Sequence, residues 1–361
     1  MTQVQSSEML EWSPREVVDW GVEQFATGLR QDTKDDHPYT QTAMESYLSV
    51  LEAGGKRTRG MLTVLGYEMH GGENRSMISE AAGAIEGLHA YLLVVDDVAD
   101  NSSTRRGKPT AHMLLQEFLE AQHAKGDIQK TAADMAISTA FAAAHKAETL
   151  FAELDAPDAD KLRVVSMVNT HLARTCLGQV LDMASPSGAP MSEKDIIGVA
   201  ASKTAFYSFD MPLNTGAILA GASLASQKQL SKYSLHTGLA FQMQDDIMGV
   251  FGDERKTGKP AKSDIIEGKQ TLLFACALEG ATSDQANILR QAHGNPNLTD
   301  EDFARCKDLL IQTEARKRVQ TFAQKQVALA LEVLDDAPEE WPADKVAELR
   351  NMASFVVTRS S

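Results

Sequence analysis

Along almost the whole chain, apolar residues return at intervals of three and four, and the alternating Val/Ile/Thr runs typical of strands are scarce. That periodicity predicts helices nearly throughout. Ser13-Pro14-Arg15-Glu16 is a capping-box sequence with Pro at the first helical position, opening a helix that runs to about Arg30. The next helix, 38–53, stops at Gly54-Gly55, and helices over 60–70 and 76–101 are separated by Gly71-Gly72. Further helices are expected over 108–122, 128–154, 158–184, 192–224, 226–251, 269–279, 283–293, 299–335 and 342–357. Turn clusters at 155–160, 185–190, 294–297 and 335–338 separate several of them. Pro212 should kink its helix, because it removes a backbone donor and crowds the preceding turn. The stretches 80–95 and 197–222 are too uniformly apolar for a surface position and should lie centrally. The pattern predicts an all-α protein of ten or more helices, taken as a single domain over 1–361.

Composition narrows the class. With 361 residues, 43% of them hydrophobic, the chain can bury a sizeable core, which argues against disorder. A net charge of −15 argues against general nucleic-acid binding, which needs a basic face. An acidic protein that binds an anion must concentrate its cations locally, as 54–59, 105–106 and 256–269 do. Cys176, Cys276 and Cys306 lie far apart, form no CxxC pair and are odd in number, so neither structural zinc nor a disulfide framework is expected. The opening MTQVQSSEMLEW lacks the basic-then-apolar order of a signal peptide. No run approaches the uninterrupted apolar length of a transmembrane segment. A soluble cytoplasmic protein is the expectation.

Two aspartate clusters carry the chemistry, each followed by a basic stretch. The first reads DDVADNSSTRRGKPTAH (96–112). On an ideal helix Asp96, Asp97 and Asp100 fall within about 100° of one another. Three adjacent anions weaken a helix, and a bound cation removes that penalty; the alternative is a solvated acidic helix end. The second cluster places Gln242, Asp245 and Asp246 on one face and continues into GDERKTGKP (252–260) and SDIIEGK (263–269). Carboxylates for hard Mg²⁺ ions beside Lys and Arg for charged hydrogen bonds are what a protein needs to hold phosphate. Two such sets suggest that both serve one diphosphate. A P-loop is absent and no strand precedes the segment, which disfavours a Walker-type nucleotide site. Gly54-Gly55-Lys56-Arg57-Thr58-Arg59 is a third basic island, or an ordinary helix C-cap with basic neighbours. His89, seven residues before Asp96, shares the aspartate face, although a lone His on a buried helix is as readily structural.

Together these strings resemble the trans-prenyltransferases, the isoprenyl diphosphate synthases. The family's first aspartate-rich motif and its RRGxPT tail match Asp96–Asp100 and Arg105–Thr110; its GGKRxR element matches 54–59; its FQxxDD motif and downstream GD…TGKP…SD…EGK…T match Phe241 to Thr271. The resemblance spans roughly 40–350 and leaves 1–37 as an N-terminal helical extension. It implies an isoprenoid synthase-type helical bundle around a deep central cavity, usually homodimeric. It implies metal roles for Asp96 and Asp100 with two Mg²⁺ ions and for Asp245 with a third, supported by Asp97 and Asp246. Arg105 would contact the allylic diphosphate and Arg106 that of isopentenyl diphosphate, whose site Lys56, Arg59 and His89 would complete. Lys203, Thr204, Gln242, Lys259 and Lys269 match allylic-diphosphate positions. The implied reaction is 1′-4 chain elongation: carbon–oxygen heterolysis of the allylic diphosphate, attack on the cation by isopentenyl diphosphate, and proton loss to the released diphosphate. Cations stabilise the departing anion, while Thr204 Oγ, Gln242 Oε and helix carbonyls ease the cationic state.

The match has gaps. Gly249 stands where the second motif commonly has Asp, which predicts altered binding of the third metal. Val95 replaces a common His, and FVVTRSS carries only Arg359 where many relatives have a basic closing tail. Product length in the family is set by bulky residues upstream of the first motif. Here these are Tyr91 and Leu92, a single aromatic with no insertion in the motif, which resembles bacterial geranylgeranyl (C20) diphosphate synthases. An ideal helix turns Tyr91 nearly opposite the aspartates. The competing readings are a farnesyl (C15) or longer-chain synthase, a class I terpene cyclase, and a non-catalytic partner subunit. The second aspartate pair and the Lys56/Arg59/His89 set argue against a cyclase, and the intact first motif against a silent subunit.

Overall fold

The computed structural model describes residues 12–184, 191–252 and 261–358. Its helices are α1 (Pro14–Thr33), α2 (Pro38–Glu52), α3 (Thr58–Glu68), α4 (Arg75–Ala99), α5 (Ala111–Ala121), α6 (Ile128–Glu153), α7 (Asp158–Ala184), α8 (Glu193–Ala200), a π-helical stretch Ala201–Asp210, and α9 (Met211–Leu219). There follow α10 (Leu224–Phe251), α11 (Ser263–Ile266), α12 (Leu272–Gly280), α13 (Ser283–Ala292), α14 (Asp300–Gln312), α15 (Ala315–Asp335) and α16 (Ala343–Thr358). The all-α expectation holds. Contacts divide the chain into two compact units: residues up to Val168 with Pro212–Ser223, and Asn169–Met211 with residues from Leu224 onward.

The first unit is built on α4, whose Ile78, Ala81, Ala82, Ala84, Ile85 and Leu88 are fully buried. By length and composition α4 could cross a membrane, contrary to the expectation that no segment comes close, but 72% of its most apolar window is buried inside the protein. It is a core helix. α1 packs on it so closely that a Cβ at Gly21 would sit 2.7 Å from the Ser79 carbonyl carbon, and one at Gly83 3.1 Å from Gly21 Cα. The capping box that opens α1 is formed: Glu16 N–H donates to Ser13 Oγ, and Ser13 N–H donates to Glu16 Oε2 at 2.7 Å.

One local feature went unforeseen. Thr104–Arg105 and Lys108–Pro109 form a two-residue antiparallel pair, β1 and β2, and α5 therefore starts at Ala111, not 108. The loop between them is Arg106-Gly107, with φ of 53° and 75°. Two successive positive φ values are the signature of a tight hairpin turn, and a non-glycine residue there is strained. Arg106 is held in that conformation.

In the second unit, α10 buries Leu230, Tyr233, Ala240 and Met243. Tyr233 Oη donates to Leu349 O of α16 at 2.8 Å, and Trp341 Nε1 donates to Ser226 Oγ at 2.7 Å, so both aromatics bury their bulk with their polar atoms satisfied. The helix expected over 192–224 begins as α, widens to π over Ala201–Asp210 and then tightens again. At the exit Met211 N–H donates to Phe206 O, five residues back, just ahead of Pro212, which has no N–H to give. The helix expected over 299–335 breaks at Glu314, which adopts φ 58° without a glycine or proline to announce it.

Candidate active site

The Gly54–Arg59 island joins α2 to the first turn of α3 and lines a cavity of about 360 Å³ in the first unit, with Lys56, Arg59, His89 and Arg106 on its wall. A buried pair shapes the loop. Arg57, at φ 49°, donates to Leu51 O at 2.9 Å and meets Glu86 Oε2 at 3.4 Å, while Glu86 Oε1 accepts from Gly60 N–H at 2.9 Å. Arg106 reaches in from the hairpin tip, its Nη1 donating to Gly54 O. In this position it uses the space that residue 55 leaves open: a Cβ there would stand 2.7 Å from Arg106 Nη1. Arg59 Nη1 lies 3.1 Å from His89 Nε2. Loss of water and the facing Arg59, Arg106, Arg105 and Arg57 hold His89 well below the usual imidazole range, so it is neutral and accepts from Arg59. Desolvation and the neighbouring arginines also pull Arg106 down. The cavity is a concentration of positive charge around uncharged His89.

At the end of α4 the first doublet divides its work. Asp97 is 1% exposed, and both of its oxygens accept from Arg105 Nε, each at 2.9 Å. Burial pushes its carboxyl up, and Arg105 opposes that rise. Asp96 and Asp100 are only partly buried, with Arg105 Nη2 3.5 Å from Asp96 Oδ2. Asp97 therefore serves Arg105 from behind, while Asp96 and Asp100 occupy the accessible side.

The second unit holds a cavity of about 200 Å³ lined by Lys203, Thr204, Gln242, Asp245, Asp246 and Lys269, together with Asp182 and Asp264. Thr204 Oγ1 donates to Gln242 Oε1 at 2.5 Å, and Gln242 Nε2 donates to Asp246 Oδ1 at 2.8 Å. That relay fixes the Gln242 amide, with its oxygen toward Thr204. Lys203 Nζ is bonded to Asp182 Oδ2, and Lys269 Nζ lies 2.6 Å from Glu267 Oε2. As in the first doublet, the second acid, Asp246, is buried and the first, Asp245, is exposed. Burial, then the charges of Asp264, Asp245 and Asp182, push Asp246 well above the carboxylate range. Lys259 and the Arg359 tail lie outside the described residues.

Among the described residues, no three His, Cys, Asp or Glu side chains converge tightly enough to hold a metal ion by themselves. The donor set nonetheless suits Mg²⁺, which keeps several waters and takes one or two carboxylates together with phosphate oxygens. Tyr91 is 7% exposed, its ring 5.5 Å from that of Phe141; Leu92 is half-buried on the same helix. Sequence reading missed Glu86, Asp182 and Asp264 as parts of these sites. Glu86 had a signal, an acid inside the apolar run AAGAIEGLHAYLL; Asp182 had none.

Residues 40–310 match the family model described as polyprenyl synthetase. The chain is 33% identical to a geranylgeranyl diphosphate synthase of Saccharolobus solfataricus over 88% of this chain and 91% of that one. It is 31% identical to a short chain isoprenyl diphosphate synthase of Methanocaldococcus jannaschii, covering 77% of each. Among solved structures, geranylgeranyl pyrophosphate synthase from Corynebacterium glutamicum, complexed with isoprenyl diphosphate and magnesium, superposes with a TM-score of 0.88 at 30% identity, covering 96% of this chain and 98% of that one.

Proposed function

This chain belongs to the polyprenyl synthetase family, and from that premise we propose that it condenses isopentenyl diphosphate with an allylic diphosphate by 1′-4 elongation, making geranylgeranyl diphosphate. The observation that carries the reading is the contrast in charge between its two cavities. One gathers Lys56, Arg59 and Arg106, with its single acid, Glu86, already engaged by Arg57 and Gly60. It suits a diphosphate held by cations alone, the isopentenyl substrate. The other sets Asp245, Asp246 and Asp264 beside Lys203 and Lys269. It suits a diphosphate held through divalent cations, the allylic substrate.

In this reading Asp96 and Asp100 on α4 and Asp245 on α10 hold Mg²⁺, three ions in all when both substrates are bound. Magnesium bound there would withdraw charge from the departing diphosphate. The chain's own groups do the rest. Arg105, aimed by Asp97, and Lys203, Lys259 and Lys269 bind and orient the allylic diphosphate and steady its growing charge as the carbon–oxygen bond breaks. Thr204 Oγ1 and the Gln242 amide, locked by their mutual hydrogen bond, present oxygen dipoles to the allylic cation. Neutral His89 accepts from Arg59 and so helps to orient that guanidinium toward the isopentenyl diphosphate. The proton lost after carbon–carbon bond formation passes to the released diphosphate, so no side-chain base is required.

Tyr91, and secondarily Leu92, limit the hydrocarbon chain; the buried Tyr91 ring against Phe141 supports a stop at C20. Residues 1–361 act as one functional domain. The chain works as a homodimer, a reading supported by Leu177, Val180 and Leu181, which expose an apolar stripe along α7.

The deciding experiment incubates the purified protein with Mg²⁺, labelled isopentenyl diphosphate and, separately, C5, C10 and C15 allylic primers. A C20 product is expected. Absence of condensation with every primer, in a folded protein, would overturn the reading in favour of a partner subunit.

A further inference from the structure

We infer that His293, at the end of α13, is a positioning residue that sets the backbone from which Lys269 reaches into the second cavity; the inference rests on reading Lys269 as a ligand of the allylic diphosphate. The segment from α11 to the start of α12 brings Lys269, Gln270 and Thr271 to the cavity wall beside Thr204, Asp245 and Asp246. Two of its carbonyls each accept twice. Ile265 O takes Gly268 N–H at 3.1 Å and Gly294 N–H at 2.8 Å. Lys269 O takes Thr271 N–H at 3.0 Å and His293 Nε2 at 3.0 Å. In each pair one bond folds the segment on itself and the other ties it to the end of α13.

His293 is held in place for this. Its backbone N–H caps α13 by donating to Leu289 O at 3.1 Å, and Gly294, at φ 74°, then turns the chain toward Ile265. The imidazole lies flat on Phe274 of α12, with ring centroids 3.9 Å and planes 13° apart. A carbonyl oxygen can only accept, so Nε2 carries the proton. The stack fixes the plane of the ring, and the plane aims that N–H at Lys269 O. With Asp246, Lys269, Thr271 and Phe274, His293 lines a void of about 10 Å³, too small for a substrate. It therefore acts through Lys269 and not on the diphosphate itself. A lysine is a point charge on a flexible stem, so the direction in which that stem leaves the backbone decides where the charge can stand.

The test is steady-state kinetics on the full chain at saturating Mg²⁺, each substrate varied in turn. His293→Phe keeps the stack on Phe274 and removes the donor. It should raise the Michaelis constant for the allylic substrate about fivefold, the scale of one hydrogen bond, and leave that for isopentenyl diphosphate unchanged. His293→Gln returns an N–H near the same carbonyl and should recover most of the loss. A role in stability alone would lower the thermal midpoint without separating the two constants. His293→Leu, lacking both ring and donor, supplies the same reading should the Phe variant not fold. Lys269→Ala separates the inference from the reading beneath it. In that background His293→Phe should add nothing, because a residue that acts through Lys269 has nothing left to place. Full additivity of the two changes, or a silent His293→Phe beside an impaired Lys269→Ala, would overturn the role of His293. An allylic constant unmoved by Lys269→Ala would overturn the reading of Lys269 instead.

Discussion

Both carboxylate oxygens of Asp97 accept from the one Nε of Arg105, each at 2.9 Å, so a buried acid is spent on aiming a single cation. Charge-assisted bonds of this kind carry orientation as well as energy. Asp97→Asn retains the shape but weakens the hold on Arg105. The Michaelis constant for the allylic substrate should rise about tenfold, the scale expected when a hydrogen bond to a charged group is lost, while that for isopentenyl diphosphate stays put. Steady-state kinetics with each substrate varied in turn would show it, and equal effects on both constants would contradict it.

Gly55 gives Arg106 its place. An alanine there meets the guanidinium, and its φ of 125° is one that a side chain resists. Gly55→Ala should raise the Michaelis constant for isopentenyl diphosphate roughly tenfold with little change for the allylic primer, the mirror image of Asp97→Asn. The two variants together form a crossed test of which arginine serves which diphosphate.

His89 links stability to pH. Its folded form resists protonation, while the unfolded chain takes up the proton near the ordinary value of 6.5. Above that pH both states are neutral and the residue contributes no slope. As the pH falls through it, the unfolded state binds the proton first, so stability declines toward the depressed folded value. His89→Gln removes this uptake, and its urea midpoint should drop less than the parent's between about pH 7 and pH 5. Parallel curves would mean that the imidazole is not shielded.

Tyr91→Ala should lengthen the product beyond C20, since it removes the aromatic ring that packs on Phe141. Chromatography of the dephosphorylated products measures this. An unchanged C20 product would take Tyr91 out of the role of stop.

The contact of α1 with α4 predicts a stability effect remote from both cavities. Gly21→Ala forces a methyl group against the Ser79 carbonyl and should cost about 1–3 kcal/mol, the range for overpacking. Chemical denaturation reads it, with turnover of the folded fraction unchanged.

Most helices were legible because 3.6-residue periodicity and caps such as Ser13/Glu16 are local signals. The breaks that periodicity missed are those with no local marker. Glu314 and Arg106 take up left-handed backbone under tertiary constraint, and neither residue type advertises it. The candidate site shows the same division. Aspartates and basic runs named the charged groups, since their spacing on one helix is readable. Which acid turns inward is a matter of what packs around it: Asp97 and Asp96 are identical side chains one residue apart and Arg105 reaches both, but the Asp97 side chain is 1% exposed and that of Asp96 33%. Asp264 belongs to the SDIIEGK run, but its approach to Gly249 brings together positions fifteen apart, which no pattern of periodicity reports.

The two doublets share an asymmetry with a consequence for how such chains decay. In each, the second aspartate is an internal strut, bonded to Arg105 in one case and to Gln242 in the other, while the first faces outward. A lineage released from catalysis would still need its struts, and its outward acids would be free to drift. Descendants that keep the residues equivalent to Asp97 and Asp246 but vary at Asp96 and Asp245 would be scaffolds that have outlived their chemistry. In this chain both struts stand with their polar partners in place, Asp97 on Arg105 and Asp246 on Gln242.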